Sequence, residues 1–97
     1  MSKNYVDYDV LAQAKALYSD KAGQLEEILS QIISMNNTLY PGGWDNLTAK
    51  AFVERFDSDH KVAIQKVIEA LNDISNYINS YSSNRMSEDE AGASAIR

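Results

Sequence analysis

A single interruption divides this sequence into two long stretches of helical pattern. It is the segment PGGWDN, residues Pro41 to Asn46, which holds the only proline, the only tryptophan and two of the four glycines among 97 residues. Proline biases the residue before it away from helical backbone, so the first helix is predicted to stop at Leu39 or Tyr40. Because a short connection makes consecutive helices spatial neighbours, the sequence predicts an antiparallel helical hairpin.

The apolar residues on each side of the interruption recur at spacings of three and four, as on one face of an α-helix. The two series are Leu11, Ala14, Tyr18, Leu25, Ile28, Ile32, Met35 and Leu39, then Val53, Phe56, His60, Ala63, Val67, Ala70, Ile74, Tyr77 and Tyr81. The predicted fold class is therefore all-α, a single domain of two long antiparallel helices. Its parts are helix 1 at about 8–40, a turn at 41–45, helix 2 at about 46–82 and a flexible tail at 83–97.

The ends of these helices carry recognisable signals. Asp7 or Asp9 can cap helix 1, and Asp45 or Asn46 can cap helix 2, because a short polar side chain there accepts a hydrogen bond from the first turn. Residues 83–97 lose the apolar periodicity and gather serine, glycine and charge. This composition is typical of a frayed or disordered end, so we expect no regular structure there.

Both helices carry more apolar residues than one line of contact requires. A second strip lies beside each series, at Ala22, Leu29 and Ile33 on helix 1 and at Ile64, Ile68, Leu71 and Ile78 on helix 2. A lone hairpin of this small size cannot cover both strips, and exposed apolar strips mark interfaces. We therefore expect two hairpins to pair into a four-helix-bundle dimer. The predicted dimer interface consists of Leu29, Ile33, Ile64, Ile68 and Leu71.

Composition excludes several classes of function. The chain has 9 Lys and Arg against 14 Asp and Glu, a net charge of -5, which provides no basic surface for nucleic acid. It has no cysteine, no apolar run near the roughly 20 residues of a membrane helix, and no apolar core of a secretory signal at its start. Asp57, Asp59 and His60 point to different faces of a helix, so we expect no metal site. No catalytic pattern or cofactor motif is present, which indicates a protein that is not an enzyme.

The turn and the residues after it, WDNLTAKAF, give the chain its one resemblance. A chain of about 100 residues with two amphipathic helices and a tryptophan in the connecting turn resembles the WXG family. Trp44 matches the family's tryptophan, and Asn46 stands where the family has glycine. The resemblance implies a turn, Gly43, Trp44, Asp45 and Asn46, that is recognised during secretion.

Family members often carry a Tyr-x-x-x-Asp/Glu export signal after the second helix, and here that pattern is degenerate. Tyr81 is followed four positions later by Arg85, which places a cation where the acid should stand. A guanidinium cannot accept the hydrogen bonds that a carboxylate accepts. The resemblance therefore implies export together with another chain that supplies the acidic signal.

The function implied by the resemblance is that of a small substrate of type VII secretion in Gram-positive bacteria, virulence-associated, moved from the cytoplasm by a secretion ATPase without a cleaved signal peptide. It would act as a homodimer, or as a heterodimer with a related hairpin. Two alternatives remain open. One is a targeting chaperone for a larger toxin with a helical N-terminal domain, and the other is a cytosolic coiled-coil adaptor unrelated to secretion.

Overall fold

The chain forms a long antiparallel helical hairpin. The computed structural model describes the backbone of residues 5–96 and the side chains of residues 5–89. Its helices are α1 (Tyr8–Thr38), α2 (Leu47–Arg55) and α3 (Lys61–Ile96), and a helical turn at Phe56–His60 joins α2 to α3. We call residues 47–96 the second arm. α1 packs along α3, and the hairpin measures 75 × 21 × 21 Å. The predicted all-α hairpin is confirmed.

The helical backbone of the first arm is interrupted at Tyr40, where the connection between the arms begins. This residue has extended backbone angles, φ −120° and ψ 127°, and the Tyr40–Pro41 peptide bond is cis. The backbone N–H of Trp44 donates to the carbonyl oxygen of Leu39 at 2.7 Å, which closes the turn. The proline therefore ends the first helix at the place that the sequence predicts.

Both arms begin with a side-chain cap, and the structure selects one residue from each predicted pair. Asp7 Oδ1 accepts a hydrogen bond from the backbone N–H of Val10 at 3.1 Å. Asn46 Oδ1 accepts one from the N–H of Ala49 at 2.8 Å. Such bonds satisfy amide groups that have no partner within the first helical turn.

Replacing Asn46 with alanine is expected to lower the free energy of unfolding by about 1 kcal/mol, because the N–H of Ala49 then loses its acceptor. Urea denaturation monitored by circular dichroism measures the change. The matched control is Asn37→Ala, an exposed asparagine near the end of α1, where the substitution removes no cap. Equal losses in both variants would show that the cap contributes nothing.

The second arm contains one turn that is wider than an α-helix. The backbone N–H of Lys61 donates to the carbonyl oxygen of Phe56, five residues earlier, as in a π-helical turn. Such a turn inserts one residue into the helix. Side chains after it are therefore displaced around the helix axis by one position relative to those before it.

The extra residue corrects the predicted contact line of helix 2. Beyond Phe56, the residues that face α1 are not His60, Ala63 and Val67, which are exposed. The buried or half-buried positions are Lys61, Ile64, Ile68, Leu71, Asn72, Ser75, Ile78, Ser82 and Arg85. We call the line along which the two arms meet the seam.

The core of the hairpin lies along this seam. Its buried apolar residues are Ala22, Leu29, Phe56 and Ile68, with Leu25, Ile32, Ile33, Ile64 and Leu71 packed against them. All five residues predicted for a dimer interface, Leu29, Ile33, Ile64, Ile68 and Leu71, lie in this set. The structure thus places them between the two arms of one chain, and the apolar surface left uncovered is a different one.

The helix does not end near residue 82. α3 continues to Ile96, so the expected loss of regular structure from residue 83 is wrong. The extended end is tied to α1, because Tyr8 Oη donates a hydrogen bond to Asp89 Oδ2. Arg85 Nε lies 3.7 Å from Asp89 Oδ1, one helical turn away. Alanine, glutamate and methionine in this stretch also favour helix, which outweighs the loss of apolar periodicity.

Candidate functional site

The turn presents Trp44 at one tip of the hairpin. The Trp44 ring is half-buried and contacts Phe52 of α2, with ring centroids 5.8 Å apart and planes inclined by 48°. Gly43, Asp45 and Asn46 are exposed beside it. The indole is thus held by one neighbouring ring while part of its surface stays exposed.

The turn glycines are not required by the packing of this chain. No glycine of the described residues has a positive φ, and a Cβ built on Gly42 or Gly43 meets no atom within 4 Å. Glycine is selected where the backbone is left-handed or where another group approaches closely. Neither reason applies within this chain, so a side chain would fit at Gly42 or Gly43.

Tyr81 and Arg85, the residues of the degenerate tail signal, lie on α3 at the opposite end of the hairpin. Tyr81 is 43% exposed, whereas Arg85 is half-buried and lies beside Asp89. The hydrogen bond to Asp89 raises the pKa of Tyr8 above its usual value. Within one chain the structure therefore separates Trp44 from the tail residues by the length of the hairpin.

One side of the hairpin carries a set of exposed large apolar side chains that the sequence did not assign to a surface. We call this set the apolar face. Its residues are Val10, Leu17, Ile28, Met35, Val67, Ile74, Tyr77 and Tyr81, with exposed fractions from 40 to 73%. Each of them directly precedes a buried or half-buried seam residue.

This shared position puts the eight side chains on the same side of the molecule. A helix turns by about 100° per residue, so the residue before a seam residue points to one flank of the seam. In two antiparallel helices, the residues that precede the seam residues point to the same flank. The residues that follow the seam point to the other flank and are mostly polar or small, as at Gly23, Ser30, Asn37, Glu69 and Asn76. The exceptions are Val62 and Met86, which are exposed apolar residues on α3. The hairpin thus has one mostly apolar and one mostly polar side.

The described side chains offer no group of three His, Asp or Glu that could hold a metal ion. Asp57 Oδ1 lies 3.9 Å from Lys61 Nζ, and Asp59 Oδ2 lies 3.7 Å from Arg55 Nε. Both carboxylates therefore lie in exposed ion pairs along the helix. Within residues 5–96, none of the helices combines the length and apolar content that crossing a bilayer requires.

These features define a small all-α hairpin with a tryptophan turn and one apolar side. The family model for WXG100, proteins of 100 residues with WXG, matches residues 5–90, and the chain belongs to this family. Membership implies a substrate of type VII secretion, and proteins of this family are small helical proteins without enzymatic activity. Neither the curated proteins nor the solved structures give a significant match.

Asn46, at the position of the family's glycine, is compatible with this turn. Its backbone is extended, with φ −159° and ψ 179°, a conformation that any residue adopts. Its side chain supplies the cap of α2. The departure from the family pattern therefore leaves the turn in place and adds a hydrogen bond that glycine cannot make.

Proposed function

We propose that this protein is exported by type VII secretion as a four-helix dimer, whose interface is the apolar face and whose Trp44 turn is read by the secretion ATPase. The apolar face carries the proposal. Monomeric soluble proteins seldom leave so many large apolar side chains exposed along one side, and such surfaces mark protein interfaces. Family membership favours this function over that of a cytosolic adaptor.

The size of the apolar face suits a stable interface. From Val10 to Met35 it follows α1 for about 25 residues, roughly 37 Å at 1.5 Å per residue. The hairpin is 21 Å wide. A surface of these dimensions is on the order of 800 Å², which is the area that each partner buries in a protein–protein interface of standard size.

An antiparallel pairing of two hairpins would join the two elements that one chain keeps apart. The Trp44 turn of one chain would then lie near the end of α3 in its partner. Arg85 in this chain is a cation and lies beside Asp89, so the partner is proposed to supply the carboxylate of the export signal. The partner is a related hairpin or the helical N-terminal domain of a toxin.

Secretion itself is tested by following the protein in the culture medium of a producing strain. We expect it in the medium of the parent strain and only in the cells when the secretion ATPase gene is deleted. A cytoplasmic protein measured in the same fractions controls for lysis. Equal amounts in both media would refute the proposed route.

The interface is tested by Ile74→Asp. Ile74 is 40% exposed and directly precedes Ser75 on the seam, so the change leaves the hairpin core intact but puts a charge into the apolar face. We expect self-association to weaken at least ~10-fold, because an unpaired carboxylate is costly to bury. Sedimentation velocity measures this effect. The control is Asn76→Asp on the polar side, and a dimer unaffected by Ile74→Asp would show that the interface lies elsewhere.

A further inference from the structure

One cation lies in the middle of the apolar face. Lys21 directly precedes the buried Ala22, and Ala14 and Ile28 occupy the same side of α1 seven residues before and after it. The face follows α1 from Val10 to Met35, so Lys21 is near its midpoint. Any molecule that covers the face must therefore accommodate an ammonium group near the centre of the contact.

No carboxylate among the described side chains pairs with Lys21. Lys21 Nζ donates to Gln24 Oε1 at 3.3 Å, and Gln24 Nε2 donates to Asp20 Oδ2 at 3.0 Å. Across the described side chains, none of the Asp or Glu oxygens lies within salt-bridge distance of Lys21. Asp20, the acid next to Lys21 in sequence, thus accepts a hydrogen bond from Gln24 and is not among the positions that precede seam residues.

The rest of the apolar face has no acid either. From residue 10 to residue 35 on α1 and from residue 60 to residue 84 on the second arm, the positions before the seam residues hold no Asp or Glu. Their polar members are Gln13, Lys21, Gln24, Gln31, His60 and Asn84. A second copy of the chain would therefore bring no carboxylate to Lys21 from these positions.

In an antiparallel pairing of identical hairpins, the midpoint of one α1 lies over the midpoint of the other. Two Lys21 side chains would then meet where water is being excluded. Like charges that are brought together in an interface oppose association and select against the wrong partner. A partner with an acid at this point would gain a charge pair instead.

We infer that the apolar face is built for a different helical hairpin, antiparallel to this one, which places an aspartate or glutamate opposite Lys21. The inference rests on the proposed function, in which this face is the dimer interface. It adds the chemistry of the partner: apolar along its length and acidic near its centre. Lys21 is the residue that disfavours self-pairing.

The chain itself can supply an acidic partner for a test. Lys21→Glu changes the charge at the centre of the face and leaves the core untouched, because Lys21 is exposed. Wild type and Lys21→Glu are measured separately and as an equimolar mixture by sedimentation, with one chain fluorescently labelled. We expect the mixed dimer to form at least tenfold more tightly than either chain alone.

The control is Lys66→Glu, which makes the same charge change at an exposed position two residues before the seam residue Ile68, away from the face. Mixing it with wild type is expected to give no such gain. Circular dichroism verifies that both variants stay helical. A wild-type dimer as tight as the Lys21→Glu mixture would overturn the inference. If Ile74→Asp also left self-association unchanged, the apolar face would not be the interface, and the proposed function would be refuted as well. If Ile74→Asp weakened self-association as expected, only the role of Lys21 would be refuted.

Discussion

Replacing Phe56 with alanine is expected to lower the free energy of unfolding by about 3 to 4 kcal/mol, a loss near the middle of the range for buried aromatic residues. Phe56 is 7% exposed and packs with Leu29 and Ile68 in the hairpin core. The hairpin has a single layer of contact between its arms, so few other contacts compensate for the lost ring. Small domains have only ~5 to 15 kcal/mol of stability in total.

The matched control is Phe52→Ala, one helical turn earlier. Phe52 is 46% exposed and contacts Trp44 rather than the core, so its loss is expected to be less than half as large. Urea denaturation at protein concentrations below self-association gives both values. Equal losses would mean that the turn contributes as much stability as the core does.

Features of this fold that depend on neighbours in sequence could be predicted from the sequence. Pro41 ends the first helix through its effect on the residue before it, and Asn46 caps the next helix with its own side chain. A short turn between two long helices then leaves the hairpin as the simplest arrangement. The hairpin and its turn follow from these local effects.

The assignment of faces required the structure, because one inserted residue changes it. The π-helical turn at Phe56–His60 moves the seam from His60 and Ala63 to Lys61 and Ile64. If the spacing of three and four is continued through FDSDH, the strip of α3 that is exposed is predicted to lie in the core. The strip that lies in the core is predicted to be on the surface. The signal in the sequence is the spacing of eight residues between Phe56 and Ile64, where a regular heptad has seven.

On α3 the same error conceals the apolar face. Regular periodicity assigns Val67 and Ile74 to the contact between the arms and Ile64 and Ile68 to a dimer interface, whereas the structure exposes the first pair and packs the second pair inside. On α3, the strip that faces outward depends on the π-helical turn.

On α1 no inserted residue is involved: Ile28 and Met35, predicted in the contact line, are exposed, whereas Ala22 and Leu29, predicted in the second strip, are buried. The number of apolar strips is predictable from the spacing of apolar residues, since each helix carries two. On α1, two neighbouring apolar strips leave the choice open, and packing against α3 decides it.

Replacing Trp44 with alanine is expected to reduce export at least tenfold while the hairpin stays folded. Trp44 is only half-buried and its ring contact is with Phe52, so the loss of stability should be about 1 to 2 kcal/mol, well below that of a buried aromatic residue. Thermal unfolding of the purified variant and its amount in the culture medium measure the two effects separately.

Phe52→Ala is the control that distinguishes recognition from packing at the turn. It removes the ring on which the indole rests but keeps the indole, so a comparable loss of stability should accompany nearly normal export. If both variants were exported equally, Trp44 would not be a recognition residue. If the Trp44→Ala variant were unfolded, the tryptophan would be required for the stability of the hairpin rather than for recognition. If only Trp44→Ala lost export, the secretion machinery would have to contact the indole itself. The turn is exposed and has open space beside Gly43, so such a contact is sterically possible.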